Sequence, residues 1–220
     1  MATSYSPSIV TNGLKLALDS GNPAAYSGTG NTWTDLVSPY QAFSGGDIGN
    51  PSWANNTNNL TICLFLKKTA YSTGYANHPV NKWNSGYNVN ASFILYQFED
   101  YQGNGADGFF QWYGYTSNNG WSGLAGSYGS YRLSVGETAF IALQYNGSVG
   151  GQCWLNGEKL GSLGATGTLG PNTAGYSNTG VYGPEAAGTS QVRQISFYDR
   201  TLTDAEIVQN YQALRTRYGI

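Results

Sequence analysis

The feature that most constrains the fold is the C-terminal segment 192–220, VRQISFYDRTLTDAEIVQNYQALRTRYGI. Successive side chains of an extended strand point to opposite faces, and the first residues of this segment are predicted to form such a β-strand with two distinct faces. One face is predicted to carry Val192, Gln194, Ser196 and Tyr198, and the other Arg193, Ile195 and Phe197. Thr203 and Glu206 then form a capping box that starts a helix. That helix is predicted to dock on a sheet through Ile207, Tyr211 and Leu214, which recur at helical spacing.

Composition indicates a β-rich globular protein. The chain has 220 residues, which suits one large β-sandwich domain or two small ones. Only 10% of its residues are charged, whereas 31 glycines and 18 tyrosines indicate many turns and much aromatic surface. The net charge of −2 supplies no basic surface for nucleic acid. No apolar run is long enough to predict membrane insertion, and the N-terminus MATSYSPSIV lacks the pattern of a secretory signal.

The cysteines and the basic doublet have ordinary structural interpretations. Cys63 and Cys153 lie in apolar, strand-like segments and are predicted to be buried free thiols. A disulfide would need an oxidising compartment, which the missing secretory signal does not support. Lys67 and Lys68 are predicted to lie at a solvated strand end.

Several segments have the apolar content and spacing of β-strands. Strands are predicted within residues 9–19, 60–68, 91–98, 109–115 and 139–145, with 60–68 at the centre of a sheet. Asn156-Gly157 predicts a type I′ hairpin turn, because both positions of that turn need a positive φ. Residues 161–190, rich in Gly, Thr and Ser, predict long loops. Short strands separated by turn residues favour an all-β sandwich.

Four segments, taken together, resemble the concanavalin A-like (laminin-G-like) superfamily. They are GLKLALDSGNPAAYSGTGNTWTDL (13–36), LTICLFLKK (60–68), FIALQYNGSVGGQCWLNGEKLG (140–161) and VRQISFYDRTLTDAEI (192–207). The resemblance implies an all-β fold, a two-sheet antiparallel jelly-roll sandwich with one short C-terminal helix. It also implies a domain over residues 13–220 that follows an N-terminal arm, 1–12. The family's F-D-G-x-x-D-Y strand is barely recognisable around AFSGGDIGN (42–50).

Residues suited to catalysis are sparse. Glucanases of this fold carry E-x-D-x-E on one strand face, and this chain has no such motif. Its nearest acids are Glu99 and Asp100, whose side chains would point to opposite faces of a strand. His78 is the only histidine and is predicted in a loop. The sequence therefore predicts a protein that is not an enzyme and has no obligatory cofactor.

Calcium is an alternative that the resemblance adds, because related modules hold it at a loop rim. The loop DYQGNGAD offers oxygen ligands from Asp100, Asn104 and Asp107. Loops of acidic residues, Gly and Asn are also common without a metal.

The clearest functional signal is an aromatic-rich region within residues 71–131. Its candidate ligand- or partner-binding residues are Trp83, Tyr87, Trp112, Tyr115, Trp121, Tyr128 and Tyr131. Sugars stack on aromatic faces, and protein interfaces are also enriched in Tyr and Trp. About half of these side chains would instead fill the core of a sandwich.

The leading hypothesis is a non-enzymatic virion structural module, a phage capsid decoration protein or a tail or fibre protein. The opening LALDSGNPAAY resembles the phage members of the superfamily. In this hypothesis residues 2–12 and 71–131 contact other virion proteins, and the chain forms a homo-oligomer. The alternative is a lectin-like, carbohydrate-binding module that recognises host cell-surface glycans through the same aromatic residues.

Overall fold

The computed structural model describes residues 8–30, 32–38, 42–44, 48–70, 76–82, 92–98, 110–126, 133–170, 179–181 and 190–220. The strands are β1 Leu14–Asp19, β2 Thr32–Thr34, β3 Ala42–Ser44, β4 Asn59–Lys68, β5 Ala76–Lys82, β6 Phe93–Phe98, β7 Phe110–Thr116, β8 Gly120–Gly126, β9 Thr138–Asn146, β10 Gly150–Leu155, β11 Glu158–Leu163, β12 Thr179–Val181 and β13 Ser190–Tyr198. A 3-10 turn spans Ser52–Ala54, and the helix α1 spans Asp204–Leu214. Among these residues, no helix has the length and apolar character that crossing a membrane requires.

Two antiparallel sheets form the predicted sandwich. One has six strands in the order β1-β13-β4-β9-β10-β11, and the other has five in the order β12-β5-β6-β7-β8. The predicted central strand is confirmed as β4, which pairs with β13 on one side and β9 on the other. The predicted all-β sandwich with a C-terminal helix is therefore confirmed.

The six-stranded sheet contributes side chains to two apolar clusters, one on each face, because successive side chains along a strand point to opposite faces. The inward side chains of β4, Ile62, Leu64 and Leu66, join the core between the sheets. Cys63 and Phe65 alternate with them and belong to a second cluster, which lies under α1. The sheet is thus buried on both faces where the helix covers it.

The hairpin between β10 and β11 has the predicted turn. Asn156 has φ 48° and Gly157 has φ 86°, the left-handed values that a type I′ turn needs at both positions. Gly157 also lies under the helix, because a Cβ built there would approach Cδ1 of Tyr211 within 2.7 Å. The tip of this hairpin therefore forms part of the surface on which α1 docks.

The predicted faces of β13 are correct from Gln194 onwards and wrong for Val192. The pairing of β13 with β4 shifts register between Val192 and Gln194, and such a bulge moves the preceding side chains to the opposite face. Val192 consequently lies in the core with Ile195 and Phe197, whereas Tyr198 belongs to the cluster under the helix.

The helix begins and docks as predicted. Thr203 and Glu206 form both hydrogen bonds of the capping box. Ile207 and Leu214 are buried on the outer face of the six-stranded sheet, and Tyr211 packs beside them. Tyr211 lies 5.6 Å from the ring of Phe140, centroid to centroid.

A buried hydrogen-bond network joins the helix to the start of the chain. The Asn210 side chain accepts from the Val10 N–H at 2.8 Å and donates to the Tyr198 hydroxyl at 3.0 Å. That hydroxyl donates to the Val10 carbonyl at 3.0 Å. Val10 was predicted in an arm that contacts other subunits. Val10 is buried within its own chain, where its backbone N–H, its carbonyl and its side chain all have partners, and the contacts predicted for the rest of the arm stay a prediction.

Three other predictions are wrong. His78 lies in strand β5 rather than in a loop. Lys68 is fully buried rather than solvated, because β4 continues to that residue and pairs there with Ser190. Residues 161–190 do not consist only of loops, since β11 ends at Leu163 and β12 covers Thr179–Val181.

The ion pair of Glu206 predicts a pH-dependent stability. Arg200 donates two hydrogen bonds to the Glu206 carboxylate, at 2.6 and 2.9 Å, and the Thr203 N–H adds a third at 2.8 Å. These bonds lower the pKa of Glu206 from 4.5 to about 2. Because the folded pKa is the lower one, the stabilisation is present above pH 4.5 and is lost as the pH falls towards 2.

We therefore expect the melting temperature to fall between pH 4.5 and 2. In Glu206→Gln the melting temperature should be lower at neutral pH and change less across that window. Circular dichroism melts of both proteins at a series of pH values measure the two slopes. Equal slopes in both proteins would contradict this assignment.

Candidate functional site

The β7–β8 hairpin places aromatic side chains on both faces of the five-stranded sheet. Phe110 and Trp112 share one face of β7 and point inward into the core. Gly114 also faces inward, since a Cβ there would meet the Ser92 carbonyl oxygen at 2.5 Å. Strand alternation then directs Tyr113 and Tyr115 to the outer face.

The outward aromatic side chains form a group that we call the aromatic platform, Tyr113, Tyr115 and Trp121. Tyr115 pairs directly with Trp121 across the two strands, which places their side chains on one face. The rings of Tyr113 and Trp121 are stacked, with centroids 5.7 Å apart and planes inclined by 22°. All three side chains are partly exposed. The platform therefore presents flat apolar surface on a rigid hairpin.

Exposed amides and hydroxyls follow the platform at the hairpin turn. We call Ser117, Asn118, Asn119, Thr166 and Thr168 the polar rim. Its two halves come from the turn and from the segment 165–170, which are joined by hydrogen bonds. Ser117 Oγ accepts from the Thr168 N–H at 2.9 Å, and Asn119 Oδ1 accepts from the Thr166 N–H at 2.9 Å. The Gly170 N–H donates to the Tyr115 carbonyl at 2.8 Å, so the rim is fixed to the strand that carries the platform.

The hairpin is electrically neutral. Residues 110–126, FQWYGYTSNNGWSGLAG, contain no acidic or basic side chain. Stacked rings beside neutral hydrogen-bonding groups suit ligands that have both apolar faces and hydroxyl groups. They do not supply the paired carboxyls that glycoside hydrolysis requires.

The predicted site residues fall into three groups. Tyr115 and Trp121 lie together on the platform. Trp112 cannot contact a ligand at the surface, because it is fully buried between the sheets and forms part of the core. The remaining candidates lie outside the described residues: Trp83, Tyr87, Tyr128, Tyr131, Asp100, Asn104 and Asp107. The acids Glu99 and Asp100 of the catalytic alternative are also outside them.

Tyr113 belongs to the predicted aromatic-rich region but was not chosen among its binding candidates, although it stacks on Trp121. Tyr113 follows Trp112 in the strand, so its side chain points outward because that of Trp112 points inward. The sequence does not give the register between β7 and β8, and that register decides which outward rings lie next to Trp121.

The cysteines are structural, as predicted. Cys63 and Cys153 are free and buried. Burial raises the pKa of each thiol to about 12, so both are protonated and poor nucleophiles at neutral pH. In the part of the chain that the structure describes, no three His, Cys, Asp or Glu side chains gather to hold a metal ion.

No known protein family matches the sequence, and no curated protein is significantly similar to it. Solved structures do share the fold. The sialidase of Trypanosoma rangeli in complex with sialic acid has a TM-score of 0.59 at 14% identity, over 94% of this chain and 34% of that chain. The CBM40 domain of the Ruminococcus gnavus IT-sialidase, bound to α2,3-sialyllactose, has a TM-score of 0.54 at 18% identity, over 75% of this chain and 90% of that domain.

These similarities support the β-sandwich fold. The chain spans about a third of the length of the trypanosomal sialidase. At such low identity the likeness concerns the fold alone. Neither of the two neighbours is a virion protein, so the predicted virion role has no support from them and stays a prediction.

Proposed function

We propose that this protein is a lectin-like, carbohydrate-binding module that holds a glycan on the aromatic platform. The observation that carries the proposal is the stacked, partly exposed pair Tyr113–Trp121, with Tyr115 beside it and the polar rim at the hairpin turn. A pyranose ring has an apolar face that stacks on an aromatic ring and hydroxyl groups that bond to amides. The platform and the rim offer both kinds of contact.

Two further points favour glycan binding. A sandwich of this fold, the CBM40 domain, is solved with α2,3-sialyllactose bound, so the fold is compatible with such a ligand. The platform also lies on paired strands, so little side-chain or loop ordering is needed on binding.

We predict that Trp121→Ala lowers glycan affinity by about tenfold or more, the usual cost of removing a central aromatic contact. The wild-type protein is first screened on a glycan array that includes α2,3-sialyllactose. Its best ligands are then titrated calorimetrically into Trp121→Ala, into Trp121→Tyr, which keeps a flat ring, and into the exposed helix variant Gln212→Ala. Trp121→Tyr should retain most of the affinity, and Gln212→Ala should retain all of it.

Equal affinities for wild type and Trp121→Ala would contradict the proposal. Aromatic surfaces also bind proteins, so the same preparations are examined for self-association by analytical ultracentrifugation. Absence of glycan binding together with self-association that is lost in Trp121→Ala would favour the assembly role predicted for a virion module.

A further inference from the structure

A cleft lies on the face of the sandwich opposite the aromatic platform, against the outer face of the six-stranded sheet. Its volume is about 360 Å³, which falls in the size range of small-molecule sites. Strands β9, β10 and β11 form its floor, and the start of α1 forms one wall. The lining residues are Gln144, Asn146, Val149, Gly150, Gly151, Gln152, Lys159, Ser162, Thr201 and Asp204.

The floor is a row of neutral polar side chains. Gln152 on β10 pairs with Gln144 on one side and with Ser162 on the other, so the three side chains share a face at neighbouring positions. Gly150 precedes Gln152 by two residues on the same strand. It lines the cleft without adding a side chain to it.

Gln144 in this row is fixed by hydrogen bonds within the protein, whereas Gln152 and Ser162 still have groups that can form hydrogen bonds. Gln144 donates to the Leu202 carbonyl at 2.6 Å and accepts from the Trp154 indole N–H at 3.1 Å. Gln152 makes one weak bond, from Nε2 to the carbonyl of the adjacent Cys153 at 3.3 Å. Within the described ranges no protein group bonds to the Gln152 amide oxygen or to the Ser162 hydroxyl. An acceptor and a hydroxyl therefore face the cleft side by side.

The charges in the cleft cancel. Lys159 Nζ lies 2.6 Å from Asp204 Oδ2 and 5.2 Å from the centroid of the Trp154 ring. The paired ammonium is a weak attractant for an anion, and a single carboxylate is too few for tight calcium binding. Apart from Val149 and the two glycines, the other lining residues carry neutral hydrogen-bonding side chains.

We propose that this cleft binds a neutral polyhydroxylated ligand of about the size of one hexose unit, through Gln152 and Ser162. This site is separate from the aromatic platform, which lies on the outer face of the other sheet. A chain with both sites can hold two glycan segments on opposite sides of the sandwich.

The test is a ¹H–¹⁵N NMR titration of the whole chain with methyl glycosides of glucose, galactose and mannose. We expect saturable shifts of the Gly150, Gln152 and Ser162 amides and of the Trp154 indole N–H. The double variant Gln152→Leu/Ser162→Ala should bind about tenfold or more weakly, because it removes two hydrogen bonds. Ser162→Tyr, a change at an exposed position, should abolish the shifts by filling the cleft. Gln212→Leu, on the exposed side of the helix, serves as the matched control.

Absence of these shifts with all three glycosides would overturn the proposal, as would shifts that persist in folded Gln152→Leu/Ser162→Ala and in Ser162→Tyr. The Trp121 indole reports on the platform in the same spectra, so failure of one site is distinguished from failure of the other.

Discussion

Truncation after Arg200 is expected to abolish stable folding. It removes α1 and the buried Leu202, Ile207 and Leu214, which cover the outer face of the six-stranded sheet. Burying three such side chains contributes roughly 5–9 kcal/mol, which is comparable with the whole stability of a typical domain. The aromatic residues beneath the helix, Phe65 and Phe140 among them, would then face water.

Circular dichroism melts and dye binding to exposed apolar surface measure this effect. The truncated chain should lack a cooperative transition and bind the dye at room temperature. Gln212→Ala, at an exposed position on the same helix, should melt like the wild type. A truncated chain that melts at the wild-type temperature would show that the helix is not part of the cooperative unit.

Replacement of Asn210 by alanine is expected to cost about 2–4 kcal/mol, since it leaves buried polar groups without partners. The Val10 N–H loses its acceptor, and the Tyr198 hydroxyl loses a donor. The Val10 amide should also exchange faster with solvent, because it loses the acceptor that Asn210 provides. Chemical denaturation measures the loss of stability, and amide hydrogen exchange measures the loss of Val10 protection.

A double-mutant cycle separates this network from simple loss of packing. Tyr198→Phe removes the hydroxyl but keeps the ring. If Asn210 and Tyr198 act through their hydrogen bond, the double variant should be more stable than the sum of the single changes predicts. Strict additivity, or full Val10 protection in Asn210→Ala, would contradict the assigned network.

Features that depend on near neighbours in sequence could be predicted well. The capping box of Thr203 and Glu206 and the turn at Asn156-Gly157 are local, because the interacting groups lie within a few residues. The central position of β4 follows from its length and continuous apolar content. These elements were sufficient to indicate a sandwich with one helix.

Features that depend on register or on distant partners could not be predicted. The bulge before Gln194 has no signal in the alternating pattern, yet it moves Val192 to the core. Asp19 is buried because Arg217 and Tyr218, at the far end of the chain, bond to its carboxylate. No local pattern reports that contact.

The two candidate binding surfaces illustrate the same limit. The platform was found in part, because aromatic density in β7 and β8 is visible in the sequence. Its division into the inward Trp112 and the outward Trp121 required the pairing of the strands. The cleft around Gln152 was missed, because its polar residues come from three strands and become neighbours only in the sheet.

The most direct test of the proposed function is the response of the tryptophan indole N–H signals to a glycan selected on the array. The six tryptophans include Trp121 on the platform and Trp33 and Trp112 in the core. The proposal predicts that the Trp121 signal shifts and saturates with glycan concentration, whereas the signals of Trp33 and Trp112 do not move. A glycan that binds without moving the Trp121 signal would contradict it.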